Sequence, residues 1–347
     1  MKKISSLLLV VCVLVALTAC GKEEVENSGL TAIETPGTVN SETNTGDNSN
    51  GQQTDEPSGS WNVEAILADG YFSEEYGEYF VGGISFALQE DTKTATATGT
   101  YLADSTEYYM PDEINYEGTV YKVDKIEEAA FVESDMTKIH LSKHLTVLPT
   151  SVFQGCEALS EVVIPEGVTA IGDNAFTQCF ALKELVLPAG LKSIGSEAFF
   201  GCASLQEIVI PEGVTQIGES AFYECSLLRS ITFPASLRAI PDEALNNCVC
   251  LESVVIPQGV GQIGFEVFWG CSALKNIVIP DSVVLMGTRA FYDCAALEEV
   301  TLPANLLEVD AEMFSFCDAL KKVNTSEAVA ELLREEMPMA EFEIVIR

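Results

Sequence analysis

The chain has 347 residues and carries 53 acidic against 18 basic side chains, which gives a formal net charge of -35. Because nucleic acid and anionic lipid headgroups repel such a charge, the composition excludes a nucleic-acid-binding protein. The simpler explanation of the charge is the solubility of a surface-exposed domain. The alternative is an acidic face that binds cations or basic partners.

Residues 1–20 have the pattern of an export signal. Lys2 and Lys3 supply the positive start, and the apolar stretch 4–19 is too short to span a bilayer comfortably. The stretch ends in Leu-Thr-Ala-Cys-Gly, which resembles the lipobox of bacterial lipoproteins. The resemblance implies a lipoprotein signal peptide over 1–20 and a membrane anchor on Cys20. In the alternative, the signal is an ordinary secretory one and Cys20 is incidental.

Two segments separate this signal from the rest of the chain. Residues 21–60 are polar and have few apolar side chains, a composition that predicts a disordered tether. A flexible chain of that length has a root-mean-square span of about 35 Å. In residues 61–120, runs rich in Tyr, Thr and Phe, such as 84–88 and 94–101, predict β-hairpins that form an N-terminal cap.

A 23-residue period dominates the remainder of the sequence. It is kept by a proline column, by an aromatic column that is broken at Leu245, and by eight cysteines. A fixed period of this length is typical of a solenoid, in which each repeat buries its apolar side against its neighbours. The cysteines are Cys156, Cys179, Cys202, Cys225, Cys248, Cys271, Cys294 and Cys317.

One repeat, residues 205–227, shows what each coil should contain. Its L-x-x-I-x-I run predicts one strand per coil, with Ile208 inward and Val209 outward, stacked into a parallel sheet. A proline after each strand ends it. A recurring glycine, such as Gly218, predicts either a positive φ or a close backbone approach. Phe222 and Cys225, three residues apart, predict a short 3₁₀ or helical turn on the opposite side.

The repeats are predicted to cover residues 121–325, beginning with a degenerate coil. After them, Ser326 predicts the N-cap of a helix that runs to Glu336, with a strand over 342–346, so 326–347 forms a C-terminal cap. The repeat pattern resembles the BspA-type leucine-rich repeats of bacterial surface proteins. The resemblance implies a BspA-type repeat solenoid capped at both ends. It also implies an association with adhesion to host proteins, other bacteria or surfaces, and it provides no catalytic residue.

The cysteines and histidines offer little chemistry. Each column cysteine lies between a core phenylalanine and a core leucine, which predicts buried free thiols rather than a disulfide framework. Cys250 lies outside the column and is expected to be exposed or locally paired. His140 and His144 are the two histidines, and no C-x-x-C motif is present. We therefore expect no structural zinc site, no cofactor and no nucleophile with its base.

The outward strand positions form the candidate site. Their β-branched side chains make a continuous strip, which predicts a ligand-binding face; the alternative is that β-branched residues simply suit strands. Glu161, Glu184 and Glu207 lie in a neighbouring column on adjacent strands, where their like charges repel one another. Either a bound calcium ion or ordinary solvation of the carboxylates would weaken this repulsion. The predicted ligand-binding residues are Val186, Val209, Thr232, Val255, Val278, Glu184 and Glu207.

These observations favour a lipid-anchored, extracytoplasmic surface protein that binds a macromolecular partner, as an adhesin or interaction module. The expected partner is a protein or glycan at a host or bacterial surface. The first alternative is a structural or immune-facing display protein without one specific ligand. A second alternative, from another class, is an enzyme whose site lies in residues 61–120.

Overall fold

The computed structural model describes residues 62–101 and 105–347. The predicted signal peptide, the tether and Cys20 lie outside these residues. Within the described ranges, no helix has both the length and the apolar character needed to cross a membrane.

The N-terminal part is a six-stranded sheet preceded by a short helix. The strand order is β1-β2-β3-β4-β7-β6, and neighbours are antiparallel except β4 and β7. Its buried face contains Ile84, Phe86 and Ala95. The elements are α1 (Val63–Ala68), β1 (Tyr71–Ser73), β2 (Glu78–Val81), β3 (Ile84–Gln89), β4 (Thr94–Thr100), β5 (Glu107–Tyr109), β6 (Glu113–Tyr116) and β7 (Thr119–Ile126).

The hairpin between β2 and β3 connects this sheet to the solenoid. Its two-residue turn is Gly82-Gly83, and both glycines have positive φ. The Tyr109 amide donates to the Gly82 carbonyl at 2.9 Å. Because Tyr109 belongs to β5, the first strand of the solenoid, the sheet covers the end of the stack. The sheet lies where the hairpin pattern predicted a cap, but its bounds differ from 61–120, since β5 belongs to the solenoid and β7 extends the sheet to Ile126.

The solenoid is built from short parallel strands. In chain order they are β8 (Lys138–His140), β9 (Val147–Leu148), β10 (Glu161–Val162), β11 (Ala170–Ile171), β12 (Ser193–Ile194), β13 (Glu207–Val209), β14 (Gln216–Ile217), β15 (Ser230–Thr232), β16 (Ala239–Ile240), β17 (Ser253–Val255), β18 (Gln262–Ile263), β19 (Asn276–Val278), β20 (Leu285–Met286), β21 (Glu299–Thr301), β22 (Lys322–Thr325) and β23 (Glu343–Ile346).

The first strand column is the predicted one, with partners 23 residues apart in the repeats. Ile208 pairs in register with Ile231 of the next coil, and both are buried. The column runs through β5, β8, β10, β13, β15, β17, β19, β21, β22 and β23. It has two interruptions: residues 184–186 form no strand, and no ladder joins β17 to β19 in the described structure.

A second strand column was not predicted. It contains β9, β11, β12, β14, β16, β18 and β20, and its inward residues, such as Ile171 and Ile194, are buried. The expectation of one strand per coil is therefore incomplete. These strands are two residues long, so they carry no alternation that a sequence pattern can reveal.

The glycine column follows this second strand, and it exists because neighbouring coils approach closely. Gly172 does not have a positive φ. A Cβ atom at Gly172 would lie 2.6 Å from the Thr150 nitrogen and 2.7 Å from the Pro149 carbonyl carbon. Of the two predicted reasons for glycine, close backbone approach is therefore the correct one.

The opposite side of each coil consists of turns with i to i+3 hydrogen bonds, such as Cys225 N–H to the Phe222 carbonyl at 3.2 Å. These are the tight turns that the spacing predicted, but they do not continue into a helix. Ser220 and Glu224 interrupt them with φ values of 53° and 57°. A left-handed residue reverses the backbone direction and ends the helical path.

The aromatic column forms the spine of the core, as predicted. Phe222 is fully buried and stacks on Phe199 with ring centroids 5.3 Å apart, and Phe176 continues the stack at 5.4 Å. At the C-terminal end, α2 (Glu327–Glu336) buries Val329 against the last coil. The Ser326 hydroxyl accepts the Val329 amide at 3.4 Å, which is the predicted N-cap.

Candidate functional site

The predicted binding residues lie on the solvent face of the first strand column. We call Val186, Val209, Thr232, Val255 and Val278 the outward strip. The exposed fractions of its valines are 83% for Val186, 65% for Val209, 77% for Val255 and 63% for Val278. Alternation within the strands produces this exposure, since the residues that flank each outward position point inward. Val186 occupies the same repeat position, although residues 184–186 form no strand. The structure therefore places the predicted residues together on one open face.

At the first interruption of the strand column, a groove of about 740 Å³ extends over three consecutive coils. Its apolar floor includes Leu185 and Ile208, and the outward valines Val186 and Val209 stand on its walls. We call this concavity the acidic groove, because four carboxylates line it. They are Glu166, Glu184, Glu207 and Glu212.

Two of these carboxylates, Glu166 and Glu212, were missed by the sequence analysis. Each directly follows the proline that ends a strand, in the segment Ile-Pro-Glu-Gly-Val that occurs at 164–168 and 210–214. The repetition of this segment could have predicted that the two glutamates lie on one face, because residues 46 apart occupy the same position two coils apart. The strand positions alone account for two of the four groove carboxylates, Glu184 and Glu207.

Among the described residues, the groove carboxylates lack the basic partners that Glu161 and Glu299 have on the same strand column. In the described part of the chain, none of the four forms an ion pair. Elsewhere, ion pairs join residues 23 apart, such as Lys138 with Glu161 at 2.6 Å and Lys322 with Glu299 at 2.9 Å. No basic side chain of the described residues therefore pairs with the groove carboxylates, and the Glu212 carboxylate accepts the Ala235 amide at 3.2 Å.

The predicted row of three carboxylates needs a correction. Glu161 pairs with Lys138, so Lys138 rather than calcium relieves its repulsion from Glu184. Among the residues that the structure describes, no group of three or more His, Cys, Asp and Glu side chains is arranged to hold a metal ion. The described residues therefore provide no set of ligands for the calcium ion that was considered as an alternative.

The second interruption of the strand column forms a smaller groove of about 290 Å³. It lies between the coils of β17 and β19, and Val255, Asn276 and Val278 line it. A further concavity of about 660 Å³ lies on the second strand column. That concavity is lined largely by backbone and small residues such as Gly195 and Ser193, because the glycine column leaves no side chains to fill it.

The column cysteines are buried free thiols, as predicted. Burial raises the pKa of the Cys156 and Cys202 thiols to about 12, so they stay protonated and unreactive at neutral pH. Cys250 is also buried and packs with Val249 and Leu227. Of the two expectations for Cys250, exposure and local pairing, exposure is therefore wrong.

The two histidines lie apart from any metal-binding arrangement. The His140 ring stacks on the Tyr109 ring with centroids 4.6 Å apart, at the N-terminal end of the outward face. The His144 amide donates to the Ser142 hydroxyl at 3.3 Å. Neither histidine belongs to a cluster of metal-ligating side chains within the described ranges.

The chain belongs to the BspA-type leucine-rich repeat family. The model of the BspA type leucine rich repeat region matches residues 124–251 and 238–336, with six copies. This family and this fold are those of repeat proteins rather than enzymes. No curated protein matches the sequence.

Solved structures agree with this assignment. A leucine-rich repeat protein from Bacteroides ovatus is 29% identical over 77% of this chain and 76% of its own, with a TM-score of 0.59. The T. pallidum leucine rich repeat protein is 22% identical over 62% of this chain and 88% of its own, with a TM-score of 0.50, and shares the fold.

Proposed function

We propose that the protein is an extracytoplasmic, lipid-anchored binding protein of the cell surface, an adhesin or interaction module that recognises a macromolecular partner through the outward strip and the acidic groove. The observation that carries the proposal is the exposure of the strip, where four valines at equivalent repeat positions leave more than three-fifths of their surface in solvent. Contiguous exposed apolar surface of this kind marks interaction sites.

The electrostatics of the groove narrow the class of partner. Four carboxylates without basic partners surround an apolar floor, and the whole chain has a charge of -35. Such a surface attracts basic groups and repels sulfated or carboxylated glycans. A protein segment that combines basic and aliphatic side chains therefore fits better than an acidic polysaccharide.

The test is a binding screen of the full chain against host matrix proteins, glycans and neighbouring cells, followed by a double variant of the strip. Val209→Lys with Val255→Lys should abolish binding to the partner found, because interfaces concentrate their energy in a few central residues. Its melting temperature should stay nearly unchanged, since both side chains already face solvent.

A matched control uses exposed hydrophobic residues away from the strip. Val147 and Leu307 are 45% and 68% exposed, and Val147→Lys with Leu307→Lys adds the same charge. This control should bind normally. Normal binding by the strip variant together with lost binding by the control would place recognition on the second strand column instead. A screen without any partner favours the display alternative.

The enzyme alternative has a specific place to be tested. A concavity of about 410 Å³ in the N-terminal part is lined by Asp69, Tyr101, Glu107 and Tyr109, among others. Burial raises the pKa of Tyr101, which makes its hydroxyl a weaker acid than an exposed tyrosine. Because the family and the fold are those of repeat proteins, we rank this alternative below binding.

A further inference from the structure

A second row of aromatic side chains lies on the turn side of the coils and is only half-buried. Phe200 stacks on Tyr223 with ring centroids 5.0 Å apart, and Trp269 stacks on Tyr292 at 4.1 Å. The second pair follows the first by three repeats of 23 residues. The two pairs are therefore equivalent positions of one repeated structure, and their surroundings can be compared directly.

The later pair holds a guanidinium group. The Arg289 Cζ atom lies 5.7 Å from the Trp269 ring centroid and 5.9 Å from that of Tyr292. Its Nε donates to the Glu312 carboxylate at 2.6 Å, and one terminal nitrogen lies 3.5 Å from the Glu266 carboxylate. Two rings and two carboxylates thus form a frame around one cation.

The earlier pair has the same residue types at the equivalent carboxylate positions, without the cation. Glu197 stands where the later frame has Glu266, and Glu243 stands where it has Glu312. Ser220 takes the place of the arginine, and its hydroxyl lies 2.8 Å from the Glu243 carboxylate. Over residues 62–101 and 105–347, neither Glu197 nor Glu243 forms an ion pair. We call Glu197, Phe200, Ser220, Tyr223 and Glu243 the vacant frame.

The backbone of the two frames is alike at the central position. Ser220 has a φ of 53° and Arg289 a φ of 55°, so both side chains leave a left-handed residue in the same repeat position. Two acceptor atoms beside the vacant frame also lack a donor among the described residues: Glu224 Oε2 and Asn246 Oδ1, both buried. Glu224 follows Tyr223 in sequence, and Asn246 is its neighbour in the next coil.

We propose that the vacant frame binds an arginine side chain of a partner protein, in the manner in which the later frame binds Arg289. Arginine fits better than lysine, because its planar guanidinium stacks on aromatic rings and offers a fork of donors to carboxylates. The frame carries two carboxylates and no cation of its own, so the charge of an arginine is complementary to it. The frame lies on the turn side of the coil, so the proposal does not rest on binding through the outward strip.

The test is a nuclear magnetic resonance titration of the full chain with labelled tyrosines. The probe is N-acetyl-arginine amide, and its lysine and citrulline counterparts serve as comparisons. The Tyr223 ring resonances should shift with arginine, and the Tyr292 resonances should not, because Arg289 already fills that frame. Citrulline, which keeps the shape but lacks the charge, should bind roughly tenfold more weakly.

Two reciprocal variants make the test specific. Ser220→Arg should fill the frame from within and abolish the Tyr223 response. Arg289→Ser should empty the later frame and make Tyr292 respond to the probe. The proposal is overturned if Tyr223 does not respond to arginine, if lysine or citrulline binds as well as arginine, or if either variant leaves the responses unchanged. The strip variant Val209→Lys with Val255→Lys should leave the titration intact, which separates this result from the proposed function.

Discussion

The thiol of Cys225 donates a hydrogen bond to the backbone carbonyl of Phe199 in the preceding coil, with the sulfur 3.2 Å from the oxygen. The same carbonyl accepts the amide of Cys202 in its own coil at 3.1 Å. All eight column cysteines repeat this bond, at 3.0 to 3.3 Å. The cysteine therefore fills a small apolar space and also donates a bond that joins neighbouring coils.

The buried thiols predict a steep loss of stability in alkali. Burial raises the pKa of Cys156 and Cys202 to about 12, whereas the ordinary value is 9.0. Between these values the native thiol keeps a proton that the unfolded thiol has lost, so the free energy of unfolding falls as pH rises. Each thiol contributes a slope of about 1.4 kcal/mol per pH unit. We expect a stable plateau below pH 9 and a steep decline above it in denaturant titrations.

The control for this prediction is Cys202→Ala. The variant should be less stable at pH 8 but should lose stability less steeply above pH 9, by the contribution of one thiol. If the free energy of unfolding of the variant falls with pH as steeply as that of the unmodified protein, groups other than this thiol cause the loss of stability in alkali. Native Cys202 and Cys225 should also resist thiol reagents, and rapid labelling without denaturant would contradict their burial.

Phe222→Ala should destabilise the protein by about 3 to 5 kcal/mol, because a fully buried ring is removed from the stack and a cavity remains. Val209→Ala is the matched control from the same repeat, and it should have little effect since its side chain is 65% exposed. Equilibrium unfolding in urea measures both. A loss below about 1 kcal/mol for Phe222→Ala would show that the stack tolerates a gap.

Gly172→Ala should destabilise the protein by about 1 to 3 kcal/mol, because the new Cβ meets backbone atoms that cannot move aside. The control is Gly190→Ala, where a Cβ would lie an ordinary 3.5 Å from the Glu166 carbonyl oxygen. Thermal melts of the two variants should therefore differ clearly. Equal melting temperatures would mean that neighbouring coils can separate at little cost.

Cys20→Ser tests the proposed anchor. If a lipid is attached to this thiol, the variant should leave the membrane fraction for the medium or accumulate as an unprocessed precursor. Fractionation of cells followed by immunoblotting measures the distribution. Membrane association that persists in the variant would contradict the lipoprotein assignment.

The sequence was sufficient for the parts of the fold that repeat in residue type. Phe222, Cys225 and Ile208 lie in columns of similar side chains, so the period alone placed them in the core. The outward position of Val209 followed from alternation within a three-residue strand. The strip could therefore be predicted residue by residue, although its role in binding could not.

The sequence was insufficient where a backbone conformation repeats every 23 residues but the type of side chain does not. The left-handed column contains Asn174, Glu197, Ser220 and Arg289, among others, and these share a backbone conformation but no side-chain chemistry. The vacant frame was missed for this reason, although reading that column at the 23-residue spacing would have shown one arginine and one serine between glutamates. The acidic groove was missed in part because it opens where residues 184–186 form no strand. Nothing in the side chains of these residues predicts the missing strand.

Leu245 interrupts the aromatic stack, and this interruption affects how cooperatively the solenoid unfolds. Within the described residues, the stack has no ring between Phe222 and Phe268, and the second strand column has no ladder between β14 and β16. The first strand column lacks a ladder between β17 and β19, one coil further on. In a solenoid, stability is a sum of coil terms and nearest-neighbour interfaces, so a weak interface divides the stack into separately cooperative blocks. We expect hydrogen exchange to reveal two such blocks with different opening free energies, meeting near Leu245. One uniform rate across the repeats would instead show that the thiol bonds between coils carry cooperativity through the gap.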